Sequence, residues 1–327
     1  MTASSGASAP ELSVILAAPD GYDSVRQTVA HLRAQTARDR LELLLVLPAQ
    51  NAAIEMTDLA DFPWFKRVES SPGSIGRANA AGVRQASAAV VVLAEDHCFP
   101  DPGWAEALLD AHREAWAAVG PGVRNANPAS AVSWADFFIG YGPWMLPATR
   151  REVDFLPGHN SSYKREVLLA YGADLEQMLE AETVLHWDLR QRGQRLLLEP
   201  AASVAHTNFS LWRSWLPVQY HAGRLFAGSR MLGMSCWKRA VYIAGAPLIP
   251  PLRLARIARQ AAAAGLLGRF AASLHALVTG LALDGLGQFM GYLAGAGVAR
   301  EKVAKFEYRR MDHITEHDRR HVYRTLG

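Results

Sequence analysis

Three adjacent side chains with reactive chemistry, Glu95-Asp96-His97, follow the most strand-like run in the chain, Ala88–Ala94 (Ala-Ala-Val-Val-Val-Leu-Ala). Acids at the end of a buried apolar strand are costly unless a cation or ligand compensates them. A carboxylate so placed can hold Mg²⁺ or Mn²⁺, with waters and substrate phosphates completing the shell. The residues that follow, Cys98-Phe99-Pro100-Asp101-Pro102-Gly103-Trp104, offer a second reading. Asp101 before Pro102 fits a helix cap, with the helix starting at Gly103. By itself Asp96 stands open between metal ligand and structural acid. Four further pieces carry chemistry. Ser74–Gly82 is a glycine-rich helix start that bears Arg77, a position suited to phosphate because free N–H groups and the helix dipole assist. Leu156-Pro157-Gly158-His159-Asn160 is a loop, Glu180-Ala181-Glu182 an acidic helix start, and Gln194–Ala205 a strand-like run ending in His206.

These residues need a scaffold that delivers them to one place. Glu11–Ala18 predicts a strand, broken by Pro19-Asp20-Gly21, and Tyr22–Ala34 has helical spacing through Val25, Val29 and Leu32. Leu41–Leu47 predicts a second buried strand, and the helical stretch Gly76–Ala86 precedes Ala88–Ala94. Continuous apolar strands alternating with helices indicate an α/β protein with a mostly parallel sheet covered on both faces. Ligands bind outside the carboxyl ends of such strands, which directs attention to Pro19–Asp23, Pro48–Asn51 and Glu95–His97.

Composition narrows the classes. The 327 residues are 50% hydrophobic and 20% charged, with a net charge of +3, which fits a folded protein. No dense basic stripe with interleaved aromatics appears in the first 210 residues, so nucleic-acid binding is not expected. Cys98 and Cys236 form no metal-ligand spacing, and a reduced cytosolic setting is the default. Residues 1–10 lack the pattern of a signal peptide and are expected to be a disordered tail.

The ordered set of glycine-rich helix start, strand with acids, Gly-x-Asn loop, acidic helix start and strand ending in His resembles the family 2 glycosyltransferases over about residues 11–210. That resemblance implies the A-type glycosyltransferase fold, a Rossmann-like sheet. It implies a nucleotide-sugar donor, an inverting single displacement, and Mn²⁺ or Mg²⁺. Carried over by position, Asp96 falls on the last acid of the family's Asp-x-Asp motif, as metal and diphosphate ligand, with Glu95 beside it. Pro19, Asp20, Gly76, Arg77 and Asn79 fall on the donor side, and Gly158, His159 and Asn160 on the acceptor-side loop. Glu182 falls on the general base, and His206 near the diphosphate or metal. Glu182 also reads as a helix-surface acid paired with Arg190 or Arg192, and Glu180 is the neighbour that can take the base role instead. The chain departs twice from the pattern. Ala94 replaces the motif's first acid, and Leu47-Pro48-Ala49-Gln50-Asn51 has no acid where the family contacts the nucleotide base.

Composition changes near Leu216, which divides the chain into a catalytic domain at 11–215 and a helical region at 216–327. Arg253, Arg256 and Arg259 share a helical face after Pro250-Pro251, the pattern of a helix lying in a membrane interface. Phe270–Ala299, apolar apart from His275 and Asp284, suits a hairpin or re-entrant element. Membrane-surface attachment on the cytoplasmic side, with a glycan or lipid-linked acceptor, is the expectation; an ordinary helical subdomain is the alternative. His313, His317 and His321 repeat at helical spacing, and beside Arg319 and Arg320 they read as a solvated face. Two other functions stand against the transferase. One is a non-catalytic sugar-nucleotide-binding or scaffold protein on the same fold. The other is a nucleotidyltransferase, disfavoured because Pro19-Asp20-Gly21-Tyr22 is no Gly-rich, Lys-bearing phosphate loop.

Overall fold

The structure, a computed structural model, describes residues 9–18, 20–48, 59–70, 74–180, 182–231 and 233–324. In chain order its elements are β1 (Leu12–Ala17), α1 (Tyr22–Arg33), β2 (Leu41–Leu47), β3 (Trp64–Glu69), α2 (Ile75–Gln85), β4 (Val90–Ala94), β5 (Cys98–Pro100) and α3 (Trp104–His112). There follow β6 (Ala118–Asn125), α4 (Ala131–Tyr141), β7 (Arg151–Val153), β8 (Ser162–Lys164), α5 (Arg165–Leu169), α6 (Leu175–Met178), α7 (Glu182–Gln191) and β9 (Leu196–His206). Six helices complete the chain: α8 (Trp212–Arg230), α9 (Cys236–Gly245), α10 (Ile249–Ala263), α11 (Leu267–Ala294), α12 (Ala299–Glu307) and α13 (Glu316–Arg324). They form two compact units, Met1–Gly122 with Thr149–Val204, and Val123–Ala148 with Ala205–Gly327. The expected division at Leu216 ran straight along the sequence, whereas the second unit takes up the segment Val123–Ala148 as well.

In the first unit β3, β2, β1 and β4 run parallel in that order; β2, β1 and β4 are apolar runs buried on both faces, whereas edge strand β3 (Trp-Phe-Lys-Arg-Val-Glu) is mostly half-buried. The full order is β3-β2-β1-β4-β8-β6-β9-β5, with β7 on β9. β8 lies antiparallel to both β4 and β6, a reversal the periodicity of a three-residue strand does not announce. Ile15, Leu44, Val91, Leu93, Val83 of α2 and Tyr163 of β8 share one core cluster. Each such apolar side chain contributes about 1.5–3 kcal/mol on burial.

A single polar group is built into this apolar sheet. Glu42 of β2 is buried, and its carboxylate accepts from Ser13 Oγ of β1 and from the Ser87 N–H ahead of β4 (2.7 Å), with Lys66 Nζ of β3 at 2.9 Å. Four strands or their approaches are thereby tied at one point. Burial alone would raise the Glu42 pKa, but the hydrogen bonds from Ser13, Ser87 and Lys66 outweigh it and hold the value below the ordinary carboxylate range.

The second unit is helical. Glycines let α8 and α11 pack backbone to backbone. A Cβ at Gly287 would meet Tyr220 O at 2.1 Å, and one at Gly291 would meet Arg224 O at 2.5 Å. Asp136 of α4 is buried and accepts from Phe209 N (3.0 Å), Trp215 Nε1 (2.9 Å) and Gln219 Nε2 (3.2 Å), with Arg310 at 3.2 Å. Phe270–Ala299 is not a hairpin, because α11 runs unbroken through Asp284. The reason is pairing: Asp284 is buried against Arg253 of α10 and Gln288. Arg253 therefore points inward and does not share the outward face of Arg256 and Arg259, both exposed. His313 lies in a short turn ahead of α13, bonded to Ser214 Oγ (2.9 Å), so it does not continue the helical face of His317 and His321.

Glu42→Ala strands the Ser87 N–H and the Ser13 hydroxyl, so stability should fall by about 1–3 kcal/mol in urea unfolding. Because the folded pKa is lowered, this contribution is present above the unfolded glutamate pKa and disappears as pH falls through the folded value. Wild type and Glu42→Ala should converge in stability on acidification, which unfolding curves at descending pH would read out.

Candidate functional site

The turn after β4 is held from α1. Buried Thr28 Oγ1 donates to the Glu95 carbonyl (3.2 Å) and the Asp96 carbonyl (3.0 Å), fixing the backbone from which three side chains project. His97 Nδ1 lies 2.6 Å from Asp96 Oδ1. An Nδ1–H donated to that carboxylate leaves the Nε2 lone pair facing Glu95 Oε2 at 3.6 Å. Two lone pairs that close repel unless a proton or a cation lies between them. Glu95, only 8% exposed, turns its other oxygen to His159 Nδ1 at 3.1 Å, and that imidazole is 4.0 Å from Glu182 Oε1.

His159 and Glu182 reach the turn because β8 is antiparallel. Ser162 pairs with Val92, so the residues ahead of β8 run alongside the end of β4. Asn160 N donates to Leu93 O (2.7 Å) and Leu93 N to Ser161 O (3.3 Å). The loop reverses at Asn160, whose φ of 57° is left-handed, a region Asn tolerates better than most residues. Beneath it, buried His186 of α7 accepts the Leu156 N–H at Nδ1 (3.3 Å) and donates from Nε2 to Tyr163 Oη (2.8 Å). Burial pushes its pKa down to about 3, so it stays neutral and keeps this tautomer.

Two glycines accept the two acids of Glu180-Ala181-Glu182. A Cβ at Gly158 would meet the Glu182 carboxyl carbon at 2.8 Å, so the loop's missing side chain is where that carboxylate lies. A Cβ at Gly76 would meet Glu180 Oε1 at 2.7 Å, so Glu180 sits at the start of α2 instead. Glu182 opens α7, where the helix dipole favours its negative charge. It pairs with neither arginine considered from sequence: Arg190 binds Glu152 and Arg192 binds Asp188.

The remaining site residues predicted from sequence are distributed as follows. Ser74 caps α2 by accepting from Arg77 N, and the Arg77 guanidinium lies 3.4 Å from Glu176. Asn79 is buried on α2, and Asp20 is exposed in the turn after β1. Pro19 and Ala49-Gln50-Asn51 lie outside the described residues. His206 ends β9, its Nδ1 3.1 Å from Asn208 Oδ1 and its ring 4.3 Å from that of Tyr141. Asp101 does not cap α3. Gly103 holds the cap position without a side-chain bond, and the Asp101 carboxylate accepts from Ser203 Oγ. Trp104 is core, and Trp134 and Trp144 pack against Phe137, Phe138 and Tyr141. Burial, and next the Glu95 charge, push the Cys98 thiol well above its usual range, so it stays a neutral thiol.

Within the first unit, buried Glu95 and His97 each offer one ligand atom, Oε2 and Nε2, 3.6 Å apart. In the sequence His97 stands only as the last of three adjacent reactive side chains after Ala88–Ala94. The signal that favours it as a ligand is its place two residues after Glu95 with Asp96 between, because a metal-binding histidine usually donates its second N–H to a carboxylate. That bond joins sequence neighbours, so the signal for it is local.

Comparison with known proteins places this site in context. The model of the family described as Glycosyl transferase family 2 matches residues 13–172. The solved structure titled "Crystal structure of GalNAc-T7 with UDP, GalNAc and Mn2+" is similar over 60% of this chain, at 14% identity and a TM-score of 0.48. The similarity spans 43% of that longer protein. No curated protein matches the chain.

Mn²⁺ titrated calorimetrically into the protein should bind through Glu95 and His97. Glu95→Gln and His97→Ala should each lose roughly 100-fold in affinity or more. Asp96→Asn, which removes only the carboxylate orienting His97, should lose about tenfold. The reverse ranking would make Asp96 the direct ligand.

Proposed function

Since residues 13–172 carry a glycosyltransferase family 2 domain on an α/β, A-type fold with C-terminal helices, we propose that the chain transfers a sugar from a nucleotide-diphosphate donor to a hydroxyl acceptor with inversion. The observation that carries this reading is the seating of Glu182. Its carboxylate lies against Gly158 and 4.0 Å from His159 Nδ1, the nitrogen that meets Glu95 at 3.1 Å. In this reading Glu182 is the proton acceptor and Glu95 with His97 the cation ligands.

In the proposed reaction an acceptor hydroxyl gives its proton to Glu182 while its oxygen bonds to the anomeric carbon. The bond from that carbon to the diphosphate oxygen breaks on the opposite face, and the nucleoside diphosphate leaves with the electron pair. A divalent cation held by Glu95 and His97 would neutralise charge on the departing diphosphate. An imidazole beside a carboxylate suits Mn²⁺ better than Mg²⁺, which prefers oxygen ligands throughout. Asp96 orients His97, and His159 Nδ1 holds Glu95 while lying 4.0 Å from Glu182. The acceptor class that fits this reading is a glycan or a lipid-linked saccharide.

Ala94, where an acid would complete the family's motif, favours a second reading as a non-catalytic sugar-nucleotide binder. Kinetics separate the two. Glu182→Gln keeps size and hydrogen bonding but cannot take a proton, so transfer should fall by about 10²–10⁴ with donor affinity retained. Gly158→Ala, whose Cβ displaces the Glu182 carboxylate, should cost about 10² in kcat, while Glu180→Gln should turn over normally. Mn²⁺-dependent binding of a nucleoside diphosphate without any turnover would favour the binder.

A further inference from the structure

Every large hydrophobic side chain exposed among the described residues lies between Trp212 and Val298. Several form outward stripes on neighbouring helices of the second unit. On α9 these are Trp237, which is 78% exposed, and Val241; on α10, Leu252; on α11, Leu274, Val278 and Leu286 at helical spacing. The opposite side of α11 is buried against α8, α4 and α10. An apolar surface of this extent marks an interaction site.

Charge says what it faces. From Pro200 to Leu283 the chain has no Asp or Glu and nine Arg or Lys. Five of these cations, Arg213, Lys238, Arg256, Arg259 and Arg269, are exposed and interleave with the apolar stripes. The next acid, Asp284, is buried against Arg253 and screens none of them. A second copy of the chain would bring like charges together, which opposes self-association through this face. A bilayer with anionic headgroups meets both features, because it takes up aliphatic and tryptophan side chains and binds the arginines and lysine around them. α11 meets the length and composition of a membrane span, with 28 residues and an 18-residue stretch of mean hydropathy 1.3. Its inner side, however, carries Asp284 and Gln288 packed within protein, so only the outer stripe is available to lipid.

We propose that the α9–α11 face of the second unit docks on the surface of an anionic bilayer without spanning it. This stands independently of the transferase reading, since binding to vesicles needs no donor or acceptor.

The test uses the full chain in sedimentation with vesicles of phosphatidylcholine alone and of phosphatidylcholine mixed equally with phosphatidylglycerol. Partitioning should be at least tenfold stronger on the anionic vesicles. It should fall at least tenfold in ~1 M salt, where the Debye length is only about 3 Å. Arg256→Glu with Arg259→Glu, and separately Trp237→Glu with Val278→Glu, should each lower it at least tenfold. All four positions are exposed, and unchanged circular dichroism and Mn²⁺ affinity would establish that the variants are folded. Equal binding to both vesicle types, or resistance to alkaline carbonate extraction, would overturn the proposal. So would a lower oligomeric mass in these variants with unchanged vesicle binding, which would make the face a contact between copies.

Discussion

Burying the Glu95 carboxylate at the end of an all-apolar strand costs several kcal/mol unless positive or hydrogen-bonding groups meet it, and the neighbourhood is arranged to meet it. Thr28 clamps the turn, His159 Nδ1 meets one carboxylate oxygen, and the other faces His97 Nε2 across a 3.6 Å separation that a cation would bridge. Each imidazole is engaged in turn by a second acid, Asp96 for His97 and Glu182 for His159. The result is an alternation of carboxylate and imidazole in which no side chain can turn without disturbing its neighbour. Such coupling holds a site in one geometry before any ligand arrives.

The scaffold beneath is correspondingly stiff and neutral. His186 and Tyr163 form a buried pair that suspends the Leu156–Asn160 loop, and burial, which lowers the pKa of His186 to about 3, keeps that pair uncharged at neutral pH. Gly158 and Gly76 then sort two nearly adjacent acids. Glu182 goes to the loop beside His159, and Glu180 goes to the start of α2. The two glutamates differ in their surroundings because different backbones leave room for them.

The second unit solves another problem with the same physics. The acids Asp136 and Asp284 within its helical core are buried and paired, with Arg310 and Arg253. The exposed acids Glu301, Asp312 and Glu316 all lie beyond α11, so the exposed face of α9–α11 carries cations alone. Close α8–α11 packing through glycines turns the larger side chains of α11 outward, so an apolar exterior follows from how tightly the interior is joined.

Much of this was legible from residue order. The apolar runs at Leu12–Ala17, Leu41–Leu47 and Val90–Ala94 determine a parallel sheet, because strands buried on both faces must be continuously hydrophobic. They also determine that Glu95-Asp96-His97 stands at a carboxyl end, and the placing of Glu182 at a helix start followed from the same local pattern. The acid-free stretch from Pro200 to Leu283 is likewise sequence alone. Tertiary structure decided the rest. The antiparallel setting of β8 cannot be read from three residues, yet it carries His159 to Glu95. The choice between Glu182 and Glu180 depended on Gly158 and Gly76, which lie far from both in sequence. The inward turn of Arg253 depended on a partner 31 residues away on another helix. Local patterns specify what an element is; which side chains meet across elements is specified by long-range packing, and that is where the chemistry of this protein is settled.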